Sequence, residues 1–154
     1  MNTILIVNAL TALGGTVVSL LLGMVWYSQK FFGKTWMEFN GMDMSVMQDP
    51  AKMAEAKKGM GATFALAALA SFVMFFVFAF MAVFIGQLNF LGVLVFSAVL
   101  WLGFAVPMSA STVLWSGKSK KMKGKMFLIS SGYYLITFLV TGIIWVLIYP
   151  HFFF

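Results

Sequence analysis

The residues best suited to do chemistry gather in one stretch, Trp26-Tyr27-Ser28-Gln29-Lys30-Phe31-Phe32-Gly33-Lys34-Thr35-Trp36. Two tryptophans and a tyrosine bracket the first two lysines of the chain. Aromatic side chains of this amphipathic kind collect where a bilayer meets water, with lysines on the aqueous side. The chemistry available to such a set is recognition at a boundary rather than bond breaking. Acid–base catalysis would need paired carboxylates, and the four acids, Glu38, Asp43, Asp49 and Glu55, fall in the segment that follows. Each has a simpler role as a helix cap, a surface charge or a lysine partner. The lone histidine, His151, has no cysteine or acidic cluster beside it, so no metal centre is expected. There is no cysteine, hence no disulfide and no thiolate chemistry. Gly14-Gly15 follows no strand and is not a dinucleotide loop. No cofactor is expected, and no catalytic residue is nominated.

Those residues must be held by elements that the charge pattern itself marks out. Apolar residues make up 62% of the 154 and charged ones 9%, against the quarter or so that a soluble surface requires. Residues 1–29 carry no charge, 30–58 hold five lysines and all four acids, 59–117 are uncharged, and 118–125 hold the other five lysines. A bilayer crossing takes about 20 apolar residues. The first and last uncharged blocks supply one span each, and the middle block supplies two, turning at Gly86-Gln87-Leu88-Asn89. The expected fold is an all-α membrane protein, a single domain over 1–154. Its four-helix bundle has spans of about 4–27, 60–85, 90–114 and 127–149, joined by loops 28–58 and 115–126. The N-terminal run lacks a basic region and is too long for a signal-peptide core, so it is read as a retained span. All ten lysines fall at one end of this bundle. By the positive-inside rule that end is cytoplasmic, with both termini outside. The net charge of +6 does not suggest nucleic acid, because arginine is absent and the lysines flank spans. Anionic lipid headgroups are the expected partners of the lysine loops.

Local patterns add detail. Phe32, Trp36 and Phe39 share one face, and Gly41 can stop a helix, so 31–40 reads as a short amphipathic helix in the interface between the first two spans. Asp49-Pro50 reads as a cap and first helical residue leading through Lys58 into the second span, which would project by two turns. Thr11, Gly15, Ser19 and Gly23 repeat every four residues in the first span, as do Gly59, Thr63, Ala67 and Ser71 in the second. Such stripes let helices approach closely, either within the bundle or in a homo-oligomer. Phe72, Phe75, Phe76, Phe78, Phe80 and Phe84 make the far half of the second span bulky nearly all round, suited to lipid contact and gap filling. Pro107 cannot donate to the carbonyl of Gly103, so a kink is expected, either a static bend or a hinge or binding site. Ser130, Ser131, Gly132, Tyr133 and Tyr134 form the most polar patch inside any span, serving helix pairing or a small neutral ligand.

Trp26-Tyr27-Ser28, then Phe32-Gly33-Lys34, Trp36 and Gly41, resemble the signature of the bacterial family called domain of unknown function 1761. Trp101-Leu102-Gly103-Phe104 and Gly132-Tyr133-Tyr134 extend the resemblance over most of the chain. Where the family has proline after the serine, this chain has Gln29. The resemblance implies four spans and no assigned activity. It nominates Trp26, Tyr27, Ser28, Gly33, Lys34 and Trp36 on the cytoplasmic rim, with Trp101 and Tyr133 second; Pro107 joins them through its kink. The expected protein is not an enzyme. It is an oligomeric carrier, channel or binder for a neutral or lipid-like molecule, or alternatively an accessory or assembly subunit of a larger membrane complex.

Overall fold

The structure, a computed structural model, describes residues 2–42, 51, 54, 59–86 and 89–153. Four helices are long and apolar enough to cross a membrane: α1 (Asn2–Trp26), α3 (Met60–Ile85), α4 (Phe90–Leu114) and α5 (Lys120–Ile148). A short helix, α2 (Gly33–Asn40), follows α1, and a single turn, α6 (Pro150–Phe153), follows α5. The breaks between helices have local causes. Gly41, Gly86 and Gly117 take positive φ at the ends of α2, α3 and α4, a conformation open to glycine at little cost. Asn89 and Ser119 cap the next helices, their side-chain oxygens accepting from the amides of Gly92 (2.7 Å) and Met122 (3.3 Å).

The Ser119 cap moves one boundary. α5 begins at Lys120, seven residues before the 127 expected, so most of the lysine run is helical and only 115–119 forms a loop. α2 runs 33–40 rather than 31–40. The Asp49-Pro50 cap and its extension through Lys58, apart from the helical Ala51 and Ala54, lie outside the described residues.

α1 packs against α3 on one side and α5 on the other, while α4 packs against α5. The core is built from Phe75, Phe78, Ala79 and Ala82 of α3, Val93, Phe96 and Leu100 of α4, and Phe138 and Trp145 of α5. Phe75 and Phe78 are therefore the gap-filling members of the α3 phenylalanines, while Phe80 and Phe84 stay exposed: Phe78 stacks on Phe138 (5.8 Å) and tilts against Phe96 (5.0 Å). α3 and α4 follow one another in sequence, yet they meet chiefly at this Phe78–Phe96 pair. Towards the lysine end α3 leaves the bundle, and residues 60–67 are exposed on every face. The two lysine-bearing connections lie at the same end, since the Lys118 ammonium donates to the Glu38 carbonyl (3.3 Å) and α2 packs on α5.

α4 carries a π-helical turn at Trp101–Ala105. The amide of Val106 bonds the carbonyl of Trp101, five residues back, just before Pro107. The missing proline amide thus sits beside a stretch of ladder that has shifted by one residue, the usual form of a π bulge.

Candidate functional site

Three side-chain to backbone bonds from aromatic donors fasten the lysine half of α5 to its neighbours. The Trp26 indole donates to the Ile129 carbonyl (3.1 Å), the Trp101 indole to the Ser131 carbonyl (2.7 Å), and the Tyr133 hydroxyl to the Ser19 carbonyl (2.8 Å). Each acceptor is a carbonyl within a helix, whose second lone pair takes the extra donor at little cost to the helix. The segment Ile129–Tyr133 becomes the hub on which α1 and α4 are both hung.

Around this hub the rim residues assemble. Trp26 tilts on Phe32 (4.9 Å), Tyr27 on Trp36 (5.8 Å) and Tyr27 on Tyr133 (5.6 Å). The turn that allows this is tight without a proline: the amides of Phe31 and Gly33 both donate to the Ser28 carbonyl, at 3.1 and 2.9 Å. A Cβ on Gly33 would collide with the Tyr27 oxygen and lie 2.6 Å from that of Ser28. Phe32, Trp36 and Phe39 then cover a small core of Val113, Met126 and Ile129. Burial, and after it the Tyr134 and Tyr133 phenols, push the Tyr27 phenol above its ordinary 10.0, while the Ser130 side chain pulls the other way. The structure therefore brings Trp26, Tyr27, Gly33, Trp36 and Tyr133 together. Lys34 is exposed, and Trp101 stands on the opposite flank of α5. Pro107 is exposed.

The small-residue stripes have different fates. Thr11, Gly15 and Ser19 are buried against α3 and α5, and Gly23 faces the Tyr133 ring. A Cβ on Gly15 would lie 2.8 Å from Thr141 Oγ1 and 2.9 Å from Phe75. Gly59, Thr63 and Ala67 are exposed, and Ser71 is half-buried.

Between α3 and α4 lies the feature no motif announced, a groove of about 470 Å³ floored by Ser130, Tyr134 and Phe138 of α5. Val73, Val77 and Met81 line the α3 side, and Leu100, Phe104, Ser109 and Thr112 the α4 side. Phe78 closes one end over Phe96 and Phe138. The wall is mostly apolar, with hydroxyls towards the lysine end. Ser109 is 5% exposed, and its hydroxyl has no partner among the described residues. Ser130 joins groove and rim, being both floor residue and neighbour of Tyr27. The groove was hidden because its lining comes from three helices whose packing leaves no local trace in the sequence.

A second polar group lies deeper. Asn8, Thr11, Thr141 and Trp145 are wholly buried along the α1–α5 contact, and their side-chain polar atoms have no partner among the described residues. Asn8 and Trp145 carried no signal beyond their type.

Helices of this length and hydropathy define the class, a multi-pass α-helical membrane protein. Within that class the chain belongs to the family described as protein of unknown function (DUF1761), whose model matches residues 10–146. Comparison with curated proteins and with solved structures gives no match.

Proposed function

We propose that this protein binds a lipid-like molecule that enters sideways from the bilayer into the α3–α4 groove, and carries or presents it without chemical change. The observation behind this is the groove itself. It falls within the size range of small-molecule sites, and its wall is apolar with a few hydroxyls at one end. In lipid, helix faces left open along a bundle are filled by acyl chains or by another helix. The rim of Trp26, Tyr27, Gly33 and Trp36 acts as the frame that fixes α5, and hence the groove floor, relative to α1. Native mass spectrometry from nanodiscs tests the proposal: a retained lipid is expected on the wild type and lost on Val77→Trp, which fills the groove from an exposed position. Retention unchanged by that substitution overturns it.

One observation favours a second reading, in which the chain is an accessory or homo-oligomeric subunit. The exposed lysine half of α3 presents Gly61, Thr63, Ala65 and Ala67, small residues suited to close helix contact. Stoichiometric foreign subunits or a second copy in the same spectra, cross-linked through Ala67→Cys, would favour it. In both readings the lysine end faces the cytoplasm of a bacterial cell, with the termini outside.

A further inference from the structure

Resting on the groove as a lipid site, we infer that its occupant is an anionic phospholipid of the lysine-side leaflet, with its headgroup phosphate at Lys123. An acyl chain in a bilayer is already out of water, so the apolar wall gives little net affinity for it. Discrimination must come from the polar end. There the groove runs past Ser109 and Thr112 of α4 and Ser130 of α5. Lys123 lies seven residues before Ser130, two helical turns along the same face of α5. Its ammonium donates to the carbonyl of Leu114 (2.6 Å), two residues beyond Thr112, which places it on the lysine side of the groove's Thr112–Ser130 end. An ammonium has three donors, and one such bond leaves two for a phosphate.

The charge balance points to an anion. α5 opens with Lys120, Lys121, Lys123 and Lys125 in its first turns, and its first turn holds no acid. Cations at that end oppose the helix dipole, which favours negative charge there. Glu38 is the one acid among the described residues, and its carbonyl, not its carboxylate, meets Lys118. Ser109 lines the groove about a turn and a half below Leu114, level with the ester region of a lipid whose phosphate is at Lys123, and its hydroxyl is buried within that wall. From Thr112 to Leu100 the groove is about 18 Å long at 1.5 Å per residue, close to one leaflet of a hydrocarbon core about 30 Å thick.

The test uses the full chain in nanodiscs of equimolar phosphatidylglycerol and phosphatidylcholine, read by native mass spectrometry. The wild type is expected to retain one phosphatidylglycerol with about tenfold preference. Lys123→Gln, which keeps a donor for Leu114 but no charge, is expected to retain lipid with the preference reduced to near unity. Lys120→Gln, exposed one turn away, keeps the preference. Equal retention of both lipids by the wild type, or equal loss of preference in the Lys123 and Lys120 variants, overturns the headgroup seat while leaving the groove as a lipid site. No retained lipid on the wild type, or full retention on Val77→Trp, overturns the groove itself. A lipid-free dimer assigns the space to a second copy and overturns both. Free inorganic phosphate that competes the lipid away at millimolar level would show an anion site without a lipid seat, and overturns the inference as well.

Discussion

A methyl group on Gly33 would meet two backbone oxygens, those of Tyr27 and Ser28, which cannot yield as a side-chain tip can. Gly33→Ala is therefore expected to cost about 2 kcal/mol or more and to loosen the Trp26–Phe32 and Tyr27–Trp36 ring pairs. Gly124→Ala, in open space within α5, is expected to be neutral or stabilising by up to about 1 kcal/mol. Thermal melts in one detergent compare the two, and equal shifts would refute the account of the turn. Asn8 poses the reverse case. Its amide is buried and without a partner among the described residues, so Asn8→Leu removes a desolvation cost of about 1–3 kcal/mol and should raise the melting temperature. A fall instead would mean that the amide is engaged in the membrane-embedded protein. Tyr27 gives a pH dependence. Its folded-state value is raised, so the folded chain holds the phenolic proton more tightly than the unfolded chain does. The stability this contributes is full below about pH 10 and declines as pH rises further. Tyr27→Phe should narrow the gap in melting temperature between about pH 9 and about pH 11.

Helices carry the contrast between what periodicity reveals and what it conceals. Four-residue spacing marks both the α1 and the α3 stripes, and nothing in the spacing says which one meets a neighbour inside the chain. The α1 stripe meets Thr141, Phe75 and Tyr133; Gly59, Thr63 and Ala67 of the other stripe stay open because α3 leaves the bundle there. Gly15→Leu is thus expected to cost about 3 kcal/mol, whereas Ala67→Leu should move the monomer's stability by no more than about 0.5 kcal/mol. Oligomeric state is the readout for Ala67, and an unchanged state in both lipid and detergent would remove α3 as a contact. Pro107 was visible as a fault in the α4 ladder, but not that the fault would take the form of a π turn over Trp101–Ala105. Restoring an amide with Pro107→Ala should let it pair with Gly103 and stabilise α4 by about 1 kcal/mol. Slower amide exchange across 103–107 would report that bond.

At the scale of the whole molecule, the number of spans was legible because charge cannot be hidden in hydrocarbon. Uncharged blocks separated by lysines leave few other arrangements. The groove was not legible, since it depends on α3 packing on α1 while meeting α4 chiefly at Phe78, a long-range arrangement. The bundle gathers its lysine connections at one end, tied by Lys118 to α2. With acids contributing little to orientation, that lysine bias should fix how the chain inserts. A reporter that fluoresces only in the cytoplasm is expected to stay dark when fused after Phe154 and to light up when inserted at the exposed Gly117. Changing Lys118, Lys120, Lys121, Lys123 and Lys125 to glutamine removes half of the bias and should yield a mixed population at both positions. If the fusion after Phe154 is bright in the unaltered protein, the lysine end faces outward, and the leaflet assigned to the groove's lipid must be exchanged with it.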